Sequence, residues 1–233
     1  MTRSIPLRPA VFCAGLALAG SLHAAGPPIT PQAVDTTGLP DLGEEWLIEN
    51  PYRAEAAGEE VWSTAIEIGA SGYNQNCARC HGIEGVSGGL APDLRYLEAE
   101  EYGDEWFMER YQHGYTQSGV TRMPGFGELL GQEAGWAIRT YIETRPDDQA
   151  VAEQTDALKA LRDQMAGWAS DASGADAEAA RMELTEIASG IETLSGAPVA
   201  DSIARRAALV IDGTETGYKA AADTLTVGLS AAQ

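Results

Sequence analysis

The chain has 233 residues, with 35 acidic against 15 basic side chains and a formal charge of −20. Residues 25–145 hold 20 acids and 7 bases, and residues 146–233 hold 15 and 6, so the acidity runs through both parts. Nucleic acid and anionic membrane surfaces are therefore poor partners.

At the N-terminus Arg3 and Arg8 precede a short apolar stretch over 10–20, and Leu22-His23-Ala24 offers a cleavage site. Residues 1–24 read as an export signal that takes Cys13 and His23 with it. Its loss removes two arginines and no acids, which takes the charge from −20 to −22. The stretch is too short to cross a bilayer, and no later segment is apolar enough. The exported protein is expected to be soluble.

Residues 25–57 read as an extended arm, punctuated by Pro27-Pro28, Pro31 and Gly38-Leu39-Pro40-Asp41. Trp46, Leu47 and Ile48 are its candidate anchors. Over 59–72 the residues Val61, Ala65, Ile68 and Gly69 recur at helical spacing. That helix leads into Cys77-Ala78-Arg79-Cys80-His81. Two thiols three residues apart share one face of a helical turn, with an imidazole next in line. This is the attachment signature of a c-type haem. A thioredoxin-like redox pair would need a βαβ context, and a zinc half-site a second ligand pair; neither is present in the sequence.

Residues 82–92 form a glycine-rich loop, 98–113 a helix, 117–130 a Gly/Pro loop containing Met123-Pro124-Gly125, and 132–144 a helix ended by Pro146. Beyond 147 the composition turns to alanine and acids. Three stripes follow: Val151, Leu158, Leu161, Met165, Trp168; then Ala180, Leu184, Ile187, Ile191, Leu194; then Val199, Ile203, Ala207, Val210, Thr214, Tyr218, Leu225. They predict two or three helices joined by short turns. The chain is thus expected to be all-α, with a haem-binding domain over 58–146 and a helical extension over 147–233.

One haem needs two axial ligands. His81 is placed by following Cys80. Its other ring nitrogen requires an acceptor to fix the tautomer, for which the Pro92 carbonyl is the candidate. Met123 is the favoured distal ligand, because the proline after it biases it toward extended backbone that suits a side chain reaching across. Met108, inside a helix, and His113, at a helix end, are the alternatives. A thioether opposite an imidazole raises the reduction potential and leaves no open axial site. That favours electron transfer over catalysis.

The runs Glu67-Ile68-Gly69-Ala70-Ser71-Gly72-Tyr73 before the motif, Ala91-Pro92-Asp93-Leu94, and Arg122-Met123-Pro124-Gly125-Phe126 resemble the class I soluble cytochromes c. The resemblance implies a first helix crossing the last, with Gly69 against Tyr141. It also implies haem attachment on the periplasmic side. Trp46-Leu47-Ile48-Glu49-Asn50-Pro51-Tyr52-Arg53 together with Ala65-Ile66-Glu67-Ile68-Gly69 is similar to a narrower group. Members of that group accept electrons from quinoprotein alcohol dehydrogenases that use pyrroloquinoline quinone (PQQ). The expectation is a periplasmic mono-haem one-electron carrier, not an enzyme, passing electrons to another cytochrome or a terminal oxidase. The alternatives are a haem-containing docking or sensor module whose extension binds a partner, and a small haem enzyme, which would need a second haem or an open axial site.

Overall fold

Glycines in left-handed conformations separate many of the helices. The structure, a computed structural model, describes residues 30–231. The expected export signal, with Cys13 and His23, lies outside the described residues, as does the start of the arm. From 30 to 53 the chain has turns but no helix or strand. Its backbone is nevertheless fastened to helices by their side chains. The Gln132 amide donates to the carbonyls of Gly43 and Glu45 at 2.7 and 3.1 Å, and Asn76 exchanges hydrogen bonds with the Gln32 backbone. Of the three expected anchors, Trp46 packs on the core beside Tyr111, whereas Ile48 is exposed.

Helix α1 (Ala54–Ala57) stops at Gly58, whose φ of 85° ends the turn, and α2 (Glu59–Asn76) follows. It runs four residues beyond the expected end at 72. No breaker intervenes, and Tyr73 and Asn76 are both buried on its inner face. After Cys77 come α3 (Ala78–His81), a 3₁₀ turn over Leu94–Tyr96, and α4 (Glu101–His113), which starts three residues later than its pattern suggested. An antiparallel hairpin, β1 (Tyr115–Gln117) and β2 (Val120–Met123), instead begins two residues before the expected 117–130 loop and takes up its first half. Its turn, Ser118-Gly119, has both residues at positive φ, as the tightest hairpins require. Helix α5 (Gly127–Glu143) bends at Gly131, where φ is 78°.

The central crossing is α2 on α5. A Cβ at Gly69 would overlap the Ala137 carbonyl and come within 2.9 Å of the Tyr141 Cβ, so only glycine permits this approach. The Tyr73 and Tyr141 rings then meet at 5.4 Å. This crossing, with Phe107, Met108, Tyr111, Trp136 and Ile138, makes the first core.

The extension is helical, as expected, but divided more finely: α6 (Asp148–Glu153), α7 (Thr155–Trp168), α8 (Ala177–Gly190), α9 (Ile203–Val210) and α10 (Glu215–Ala231). The third stripe breaks where Gly213 takes a φ of 85° and the Asp212 carboxylate accepts from the Thr214 backbone. The stripes form a second core around Leu158, Met165, Leu184, Ala207, Tyr218 and Leu225. Alanines at 204, 207 and 221 are fully buried where α9 and α7 meet α10.

Contacts between the two cores are largely polar. Ser195 Oγ donates to the Glu143 carbonyl, Ala200 N to the Thr144 carbonyl, and Ala99 N to the Ser195 carbonyl. Among the described residues no helix is long and apolar enough to cross a membrane.

Candidate haem site

The helical turn carrying the motif grows out of α2. Cys77 N donates to the Tyr73 carbonyl at 2.8 Å, and the amides of Cys80 and His81 both donate to the Cys77 carbonyl at 3.1 and 3.0 Å. These bonds keep both cysteines on one turn, and neither is in a disulfide. Burial, and then Cys80 beside it, push the Cys77 thiol up to about 12. A free thiol there carries its proton at neutral pH.

The chain leaves the motif through Gly82, with φ of 81°, where any Cβ would overlap the Val86 carbonyl. The Tyr73 hydroxyl donates to the Gly82 carbonyl at 2.7 Å and ties this exit to α2. The loop then returns so that His81 Nδ1 lies 2.9 Å from the Pro92 carbonyl. A carbonyl can only accept, so Nδ1 must be the protonated nitrogen, and Nε2 keeps its lone pair. On one side of Pro92, Ser87 Oγ donates to the Ala91 carbonyl at 2.5 Å. On the other, Asp93 caps the 3₁₀ turn and grips Arg95. Burial works to raise Asp93, but hydrogen bonds from Arg95 and its charge outweigh this and hold the carboxyl below its ordinary value.

Met123 is the last residue of β2. It is half-buried and packs against the first core, as do Cys77 and Ala78. Two glycines bring the hairpin close to the end of α4. A Cβ at Gly114 would overlap the Met123 carbonyl, and one at Gly125 would meet the Gln112 carbonyl at 2.6 Å. Of the alternatives, Met108 is 3% exposed inside α4, and His113 is exposed at that helix's end. Two cysteines on one turn outside any disulfide, and an imidazole with one nitrogen committed to a carbonyl, are a donor set that fits a haem joined by two thioethers.

Sequence reasoning passed over two features around this site. One is the Asp93–Arg95 grip, signalled only by an acid before a short turn. The other is a buried cluster behind the α4–α5 contact. Asp104 there accepts from Arg139 Nε at 2.9 Å, Arg53 at 2.8 Å and the Asn50 backbone at 2.9 Å, and Arg53 also pairs with Glu143 at 2.7 Å. Burial raises Glu143 against the pull of both arginines.

Residues 64–142 match the family described as cytochrome c oxidase, cbb3-type, subunit III. The chain is 51% identical over 144 residues to cytochrome c550 of Pseudomonas aeruginosa, covering 62% of this chain and 97% of that protein. It is 36% identical over 86 residues to quinohemoprotein alcohol dehydrogenase ADH-IIG of Pseudomonas putida, covering 37% of this chain and 11% of the dehydrogenase. A third relative, the cbb3-type oxidase subunit FixP of Rhizobium meliloti, is 29% identical over 124 residues, 48% of this chain and 38% of FixP. No solved structure matches. With Cys77, Cys80 and His81 in the attachment spacing, and a relative aligned over nearly its whole length, the chain belongs to the c-type cytochromes and carries one covalently attached haem c.

Proposed function

We propose that the protein is a periplasmic one-electron carrier, reduced by a PQQ-dependent alcohol dehydrogenase and oxidised by a downstream cytochrome or terminal oxidase. The observation that carries this reading is the 2.9 Å bond from His81 Nδ1 to the Pro92 carbonyl, which leaves Nε2 as the free ring donor. Haem c, when bound, supplies a ferric/ferrous couple. Cys77 and Cys80 would hold it covalently, His81 and Met123 would donate to its iron, and Pro92 would fix the His81 tautomer. Met123, as a neutral thioether, favours the ferrous state. With His81 and Met123 both committed to the iron, the site would transfer electrons rather than activate oxygen or peroxide. Residues 58–146 form the haem-binding domain and 147–233 an appended helical domain with its own core.

Similarity to the cytochrome-like stretch of a quinohemoprotein alcohol dehydrogenase supports a quinoprotein as electron donor. The basic start and apolar stretch of residues 1–24 support export. The test is rapid mixing of the ferric protein with a purified PQQ-dependent alcohol dehydrogenase and its alcohol. Haem reduction should be fast and should slow as salt is added, because a strongly acidic chain is steered to a basic docking face. Reduction no faster than with alcohol alone would overturn the donor assignment, and a rate that rises with salt would overturn the steering.

A further inference from the structure

Arg95 links the histidine's hydrogen-bond acceptor to the extension. Its side chain is almost wholly buried. One edge of the guanidinium holds Asp93 in a two-point grip, Nε to Oδ1 at 3.1 Å and a terminal nitrogen to Oδ2 at 2.9 Å. The remaining nitrogen donates to the Pro146 carbonyl at 3.2 Å and pairs with Asp148 Oδ1 at 3.0 Å. Asp148 opens α6, the first helix of the extension. Asp93 is joined by one peptide bond to Pro92, whose carbonyl accepts from His81. The Asp93 carboxylate also accepts from Arg95 N at 3.0 Å and Ser87 N at 3.4 Å, so the backbone on that side of Pro92 has little freedom. A planar two-point grip fixes direction as well as distance, which a lysine cannot reproduce.

We propose that Arg95 is a positioning residue: by holding Asp93 on one edge and Pro146 and Asp148 on the other, it sets the Pro92 carbonyl against His81 and makes the reduction potential depend on the docked start of the extension. The proposal rests on His81 as an axial ligand. A well-aligned Nδ1–H bond to the carbonyl makes the imidazole a stronger donor, which favours ferric iron. Loosening the grip therefore raises the potential.

The test is a redox titration of full-length holoprotein carrying Arg95→Gln, Arg95→Lys or Asp148→Asn. At fixed ambient potential Arg95→Gln should raise the ferrous-to-ferric ratio by about two- to tenfold, tenfold being about 59 mV for one electron. Arg95→Lys should recover part of the difference, and Asp148→Asn should move the ratio the same way by less. The far-red sulfur-to-iron band should persist in all three. An unchanged ratio in Arg95→Gln and Asp148→Asn, with only the melting temperature lowered, would overturn the proposal. Should Arg95→Gln fail to fold, the Asp148→Asn result decides, because that side chain is largely solvent-exposed and its replacement has the same shape. His81→Ala separates the two readings: an unaltered low-spin spectrum there would show that the ligand assignment, not the coupling, is wrong.

Discussion

Met123 sits at the end of a strand with Pro124 behind it, while Met108 is enclosed by Tyr111 and Gly135 in the core. Replacing Met123 by His should delete the far-red sulfur-to-iron band of the ferric protein and lower its potential, because imidazole favours ferric iron more than a thioether does. If Met108→Leu deletes the band and Met123→Leu does not, the assignment belongs to Met108. Asp93 gives a pH dependence with a definite sign. Its folded value lies below the ordinary one, so its contribution to stability is present above about pH 4 and is lost as pH falls further. Thermal unfolding followed from pH 7 to pH 3 should show a steeper acid loss in the parent than in Asp93→Asn; parallel curves would contradict this. The spacing of Cys77, Cys80 and His81 was legible in the sequence because a short motif carries it, and the bond from His81 Nδ1 to the Pro92 carbonyl agrees with the expected acceptor, which only a turn proline signalled. The Arg95 grip was not, since one of its partners lies 53 positions away, at Asp148, and an acid two residues before an arginine is commonplace.

At the scale of elements, α2, α4 and α5 followed from apolar spacing and from Pro146 as a stop. The hairpin did not. Its strands are three and four residues long and almost wholly exposed, so they carry no alternation of apolar and polar residues for a pattern to reveal. The signal that was present lay in the turn, Ser118-Gly119 between runs containing Thr116, Val120 and Thr121. The arm reads as structureless by composition, but Gln132 and Asn76 satisfy its backbone, and Asn50 and Arg53 anchor it to α4 and α5. Asp104 is the centre of that anchor and is fully buried with Arg139. Asp104→Asn takes the nearer carboxylate from the buried Arg139, leaving Glu143 at 3.7 Å, and should cost about 1–3 kcal/mol. Chemical denaturation of the holoprotein measures it, and a loss under 1 kcal/mol would show that the cluster does not hold the arm.

On the scale of the whole molecule, charge and periodicity told of an acidic chain and a helical second part, and Leu158, Met165, Leu184 and Leu225 do fill one core. The division of the third stripe was hidden because Tyr218 and Leu225 continue the period of Ile203 and Ala207 across the break at Gly213. Nor could spacing show that the two parts meet through polar contacts, since the partners Ser195 and Glu143, or Ala200 and Thr144, are ordinary residue types. If His81 and Met123 both ligate the iron, as proposed, the protein carries electrons and binds no small molecule there. Titration of the ferrous holoprotein with carbon monoxide at neutral pH tests it most directly. The low-spin spectrum should stay unchanged throughout; a carbon monoxide complex forming at one equivalent per haem would show that an axial position is open.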